Sequence, residues 1–179
     1  MGTEIRWIVM TIYRQRKLNR LKKYDYSIPG WYLVTVCTHH QKTIFGSIKV
    51  GHLKLTNVGE VVDQSIRKIS QFYPHIIVDE YVIMPNHFHL ILDIIDFHTR
   101  TEQCSVPTIQ RTYGEVSKSV QSLKGVISKE VKRKKLFSGK IWQRSFHDHI
   151  ILNEKELERI REYVAINPYN WKKDEEWVG

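Results

Sequence analysis

Cysteine is nearly missing from this 179-residue chain: Cys37 and Cys104 stand far apart and lack CxxC spacing. Neither a disulfide framework nor a thiolate zinc site fits that pattern, and a reducing cytosol does. Long apolar runs are missing too. The N-terminal "WIVMTIY" is seven residues long and runs straight into "RQRK" with no small-residue cleavage site, and "MGTEIR" lacks the Ser or Thr of a myristoylation signal. No segment approaches the length of a membrane span, so a soluble, cytoplasmic protein with no membrane partner is expected. Internal repeats and low-complexity tracts are also absent. At this length, with 41% hydrophobic residues, residues 1–179 are expected to form a single compact unit.

Acidic residues are in short supply, 19 against 28 Lys and Arg, and the shortage is local. Residues 1–24 hold seven Lys/Arg against Glu4 alone, and residues 111–144 hold ten against Glu115 and Glu130. These stretches carry +14 between them, leaving −5 on the rest of a chain whose total is +9. Two basic bands on a mildly acidic body form an electrostatic footprint for a polyanion, with nucleic acid the favoured one; solvated helix faces are the plainer alternative.

The pattern of residue types predicts an order of elements. "GWYLVTVCTH" (30–39), rich in β-branched and aromatic residues after Pro29-Gly30, reads as a strand, and "HLKLT" (52–56) as a short one. Val58, Val61, Val62, Ile66 and Ile69 recur at helical spacing, with Pro74 closing the helix. "HIIVDEYVIMP" (75–85) and "HFHLILDI" (87–94) read as two strands apolar enough for the centre of a sheet. Periodicity then lapses from Ile95 to about Arg111, a candidate loop. Residues 113–135 form an amphipathic basic helix with Val116, Val120, Leu123, Ile127 and Val131 on one face. "SFHDHIIL" (145–152) is a further strand candidate, and Asn153 with Glu156 caps a helix that runs to Asn167, where Pro168 stops it. This succession predicts an α+β fold, a mainly antiparallel sheet with helices packed on one face.

The chemistry-bearing residues lie in two of these elements. In a strand, side chains alternate between faces, so His87 and His89 project together while Phe88 and Leu90 anchor the opposite side. Two imidazoles side by side can supply two ligands to a divalent cation, though alone they read as readily as the wet face of a one-sided sheet. A second HxH, His147-Asp148-His149, lacks the apolar anchor and suits an edge strand or loop. On the C-terminal helix Leu157, Ile160 and Val164 define a buried stripe, and Tyr163 and Asn167 share one flank of it. A phenol and a carboxamide at the border of the core could provide a nucleophile and a third ligand. A boundary tyrosine and a helix-ending Asn before proline explain them equally well.

Three blocks, "RLKKYDYSIPGWYLVTVCTHHQKTIFG" (20–46), "VIMPNHFHLIL" (82–92) and "WQRSFHDHIILNEKELERIREYVAINPYNW" (142–171), together resemble the REP-associated tyrosine transposases of the HUH single-tyrosine superfamily. The likeness spans nearly the whole chain. It implies a ferredoxin-like fold in which His87 and His89 form the His-hydrophobic-His motif and Tyr163 of "REYVAINP" is the nucleophile. Asn167 falls where relatives place the amide that completes the metal site, usually Gln in the insertion-sequence branch. The implied cofactor is Mg²⁺ or Mn²⁺, and the implied product a 5′-phosphotyrosine with a free 3′-hydroxyl.

The resemblance implies single-stranded or hairpin DNA as partner, with short palindromic repeats as targets, a nucleoid-associated place in the cytoplasm, and a monomeric or homodimeric protein. Candidate backbone contacts are Lys118 and Lys124 of the basic helix, its tip Lys132, Arg133, Lys134 and Lys135, and Arg111 and Arg144 nearby. The expected activity is cleavage and rejoining of single strands without ATP. A domesticated DNA-binding protein that keeps the fold but does not cleave is the alternative. A ferredoxin-like RNA-binding module is disfavoured, since no RNP-type aromatic signature stands on the strands.

Overall fold

The computed structural model describes residues 29–95 and 114–171. The basic segment 1–24, Arg111 and, beyond Ile95, the expected loop lie outside the described residues. Strand β1 (Gly30–Cys37) forms where the run of aromatic and β-branched residues predicts a strand, and it is central, with Tyr32, Val34 and Val36 wholly buried. It pairs antiparallel with β5 (His87–Ile94) on one side and β6 (His147–Ile151) on the other. Strand β4 (Ile76–Ile83) pairs antiparallel with β5, giving the order β4-β5-β1-β6. With a helix after β1 and another after β5, this is the ferredoxin-like βαββαβ arrangement.

Strand β4 occupies an edge rather than the expected centre; it breaks register between Val78 and Glu80, and its charged Asp79 and Glu80 suit an edge rather than a buried ladder. The short strand at His52–Leu55 (β3) forms, but its partner β2 (Gly46–Lys49) was not anticipated. Four residues of mixed polarity, "GSIK", carry too little periodicity to announce a strand.

Helix α1 (Asn57–Arg67) starts at Thr56, whose hydroxyl accepts from the Gly59 amide at 3.2 Å. Gly59 is required for close approach, because a Cβ there would run into the Phe45 carbonyl. The expected helix breaks at Lys68 into α1 and the single turn α2 (Ile69–Phe72). Helix α3 (Glu115–Arg133) and helix α4 (Glu154–Ile166) follow the predicted spans closely. Asn153 Oδ1 accepts from the Glu156 amide at 3.0 Å, while the Glu156 carboxylate accepts from the Leu152 amide at 2.8 Å, one residue earlier than a strict capping box.

The sheet has a different task on each face. On one, Tyr32, Val34, Val36, Phe88, Leu90 and Leu92 pack against Val58, Val61, Val62 and Ile66 of α1 and the apolar stripe of α3. On the other, Leu33, Ile91 and Ile151 meet Leu157, Ile160 and Val164 of α4. So α1 and α3 share one face, as expected, and α4 covers the opposite one. Each side chain taken from water contributes roughly 2 kcal/mol. Three from α4 make a small fastening, so polar ties at its ends matter. Among the described residues, no helix is long and apolar enough to cross a membrane.

Candidate active site

His87 and His89 stand on β5 with their side chains toward α4, on the face carrying Ile91 and opposite Phe88 and Leu90. The turn that delivers them is pinned from three directions: the Met84 amide bonds the His87 carbonyl, Thr38 the Asn86 carbonyl and Phe45 the Pro85 carbonyl. Both imidazoles are buried. Burial pushes His87 down to about 4; burial, then the neighbouring His87, pushes His89 well below the usual histidine value. Both rings are therefore neutral at physiological pH, the state in which imidazole offers a lone pair.

Their Nε2 atoms face each other at 3.1 Å. His87 Nδ1 lies 2.7 Å from Asn86 Oδ1, which can only accept, so the His87 proton sits on Nδ1 and its Nε2 is a lone pair. His89 Nδ1 lies 2.7 Å from Thr35 Oγ1, a hydroxyl that can donate or accept. The His89 proton can thus bridge toward His87, or move to Nδ1 and leave two lone pairs converging on one point. That outer support is typical of metal-ligating histidines. Thr35 and Asn86 escaped the sequence reading, although Thr35 is the polar residue within "LVTV" and Asn86 directly precedes the motif.

Tyr163 and Asn167 come from the end of α4. Tyr163 is half-buried, and its hydroxyl lies 3.3 Å from His89 Nε2. Asn167, one turn later, is buried, and among the described residues neither its Oδ1 nor its Nδ2 has a hydrogen-bond partner. A further turn on, the Trp171 ring lies 6.3 Å from that of His87. Asn167 therefore sits between two residues that each reach one of the histidines. A buried amide without partners calls for an explanation, and a cation bound by its oxygen supplies one. No cluster of three or more His, Cys, Asp or Glu exists among the described residues, so a third ligand drawn from them has to be of another kind. His87, His89 and Asn167 are the described residues whose donor atoms could hold a divalent ion, two nitrogens and one oxygen.

The expected DNA contacts divide by what already holds them. Lys118 reaches Glu115 at 3.3 Å. Arg133 forks onto Glu130 at 2.9 and 2.6 Å, with Lys134 at 3.3 Å from the same carboxylate. The Arg133 bonds outweigh burial and, with Lys134, hold Glu130 down at about 2. Lys124 donates to the carbonyls of Gln143 and Ser145 at 2.9 and 3.3 Å, fastening the segment after α3. Lys132, Lys135 and Arg144 have no ion pair among the described residues. Of the second HxH, His147 and His149 lie on edge strand β6, and His149 is 2.8 Å from Glu156.

No family model matches the chain. An uncharacterized protein of Haemophilus influenzae (strain ATCC 51907 / DSM 11121 / KW20 / Rd) is 33% identical over 176 residues, covering 93% of this chain and 95% of that protein. Among solved structures, a REP-associated tyrosine transposase bound to a REP hairpin superposes with a TM-score of 0.57 at 18% identity, over 83% of this chain and 73% of that one. The chain thus belongs to the family of the Haemophilus influenzae protein, and its fold is that of the REP-associated tyrosine transposase.

Proposed function

We propose that the protein cleaves and rejoins single-stranded DNA next to hairpin-forming repeats, with Tyr163 as nucleophile and a divalent ion held by His87, His89 and Asn167. The observation that carries this reading is the convergence of His87 Nε2, His89 Nε2 and the Tyr163 hydroxyl within 3.1 and 3.3 Å of one another along the chain of contacts. A bound Mg²⁺ or Mn²⁺ would supply charge neutralisation at the non-bridging oxygens of the scissile phosphate. Asn86 and Thr35 hold the two rings in orientation, and burial keeps both neutral.

Tyr163 performs nucleophilic catalysis. Its oxygen bonds to phosphorus as the bond to the 3′-oxygen breaks; the phenol loses its proton and the leaving 3′-oxygen gains one. The 5′-phosphate stays on Tyr163 as an ester of comparable energy, so another 3′-hydroxyl can reverse the step and join strands without ATP. The fold shared with a transposase bound to a hairpin favours the same kind of substrate.

Incubation of the protein with hairpin-bearing single-stranded DNA and Mn²⁺ tests this. An adduct that survives denaturation, and is lost in Tyr163→Phe and with EDTA, is expected. Binding without any adduct across several such oligonucleotides would overturn the reading and leave a DNA-binding protein that does not cleave.

A further inference from the structure

On the α3 side of the sheet, the C-terminal half of α3 and residues 136–144 line an open cavity of about 1050 Å³. It lies just above the ~300–1,000 Å³ usual for small-molecule sites, with room for more than one nucleotide. Lys132, Lys135, Lys140 and Arg144 line it, and none has an ion pair among the described residues. Phe137 lies among them, half-buried, with Lys42 Nζ 6.0 Å from its ring centre. Cations without acidic partners beside an aromatic face form a site for phosphate and base together.

The backbone gives an independent sign. Helix α3 ends with the Leu136 amide bonded to the Val131 carbonyl at 3.0 Å and the Lys135 amide to that of Lys132 at 3.1 Å, a Schellman ending. The residue at its left-handed position, φ 55°, is Lys135, where glycine is the unstrained choice. A side chain kept at a strained position points to a use for that side chain.

The cavity also lies at the end of the sheet that carries the candidate active site. Its wall is bonded to the end of β1, His39 amide to Ile141 carbonyl at 2.7 Å and Gln143 amide to Cys37 carbonyl at 3.0 Å. Cys37 is the register partner of His87. The cavity and His87 thus share one end of the sheet, on opposite faces.

We infer that this cavity binds an unpaired stretch of the DNA substrate, with phosphates on Lys132, Lys135, Lys140 and Arg144 and a base against Phe137. The inference rests on the DNA-cleaving reading for its choice of substrate. A duplex keeps its bases in their own stack, so Phe137 meets a base face where the strand is unpaired.

The test uses the full-length protein in EDTA, a labelled ten-nucleotide oligothymidylate, an abasic strand of the same length, and fluorescence anisotropy across salt concentrations. Oligothymidylate is expected to bind at least fivefold more tightly than the abasic strand, and Phe137→Leu to erase that difference. Lys135→Gly should weaken both strands and lower the salt slope by about 0.7, while its melting temperature does not fall because the strain is relieved. Equal affinity for the two strands, or unchanged affinity in both variants, overturns the inference. Adduct formation with Mn²⁺ is scored separately. Adducts that form while the cavity variants bind normally sink the cavity alone; cavity-dependent binding without adducts supports the cavity and sinks the nucleolytic reading.

Discussion

The Nε2 atoms of His87 and His89 point at one another across 3.1 Å, with the other nitrogen of each ring fixed by Asn86 or Thr35. Two neutral imidazoles so held share the His89 proton between their Nε2 atoms in the metal-free protein, and that proton would shift to His89 Nδ1, toward Thr35, when a cation takes both Nε2 lone pairs. Mn²⁺ should therefore raise the melting temperature. At a hundred times the dissociation constant the gain is about 2.7 kcal/mol. His87→Ala and His89→Ala should each abolish the shift, and Asn167→Ala reduce it. A shift that persists in the double histidine variant would place the ion elsewhere.

Burial of the pair makes the fold sensitive to acid. The folded-state value of His87 is about 4 and that of His89 is also depressed, against an ordinary 6.5. Between those limits the unfolded chain binds protons that the native state refuses, so stability present above pH 6.5 is lost as pH falls toward 4. Each histidine contributes up to about 1.4 kcal/mol per pH unit in that window. Urea denaturation in EDTA at pH 7, 6 and 5 should show the decline, and a His87→Gln/His89→Gln variant should show a flatter one. Parallel pH profiles for the two proteins would contradict this account.

What could be read in advance follows from how local each signal is. The alternation of His87, Phe88 and His89 is a property of one strand, so both the paired histidines and the buried Phe88 are visible in "HFHLIL". The flank shared by Tyr163 and Asn167 is likewise a property of one helix. Thr35 becomes a partner of His89 only through the β1–β5 register, 54 residues away. Edge or centre for β4 depends on sheet order, which its own apolar residues do not encode. The basic helix shows its charge in the sequence but not its use: Lys124 is engaged by carbonyls 19 and 21 residues on, while Lys132 faces a cavity.

Arg161 ties α4 to the sheet edge. Its Nε donates to Asp79 Oδ2 at 2.8 Å, its Nη2 to Asp79 Oδ1, and its Nη1 to Glu158 at 2.6 Å. Asp79 sits at the register break of β4, and Tyr163 follows Arg161 by two residues. Arg161→Met should cost about 1 kcal/mol, since the pair is partly exposed. Its larger expected effect is on geometry, a fall of roughly tenfold or more in single-turnover adduct formation with hairpin affinity unchanged. Equal losses in binding and adduct formation would assign Arg161 to the DNA surface instead.

The β2–β3 hairpin stores strain that a single substitution should release. Its two-residue connection, Val50-Gly51, has φ values of 51° and 75°, positive at both central positions as a type I′ turn requires. Gly51 suits that conformation, and a Cβ there would run into the Tyr169 ring. Val50 does not suit it: a β-branched residue in the left-handed region crowds its own backbone, and at 93% exposure it gains no packing in return. Asn tolerates this region, so Val50→Asn should stabilise the protein by about 1 kcal/mol, raising the melting temperature by roughly 2–4 °C. Gly51→Ala should do the opposite, because it adds both strain and a clash. Calorimetry of the two variants decides the matter: a Val50→Asn protein that melts at or below the wild-type temperature would mean the turn carries no releasable strain.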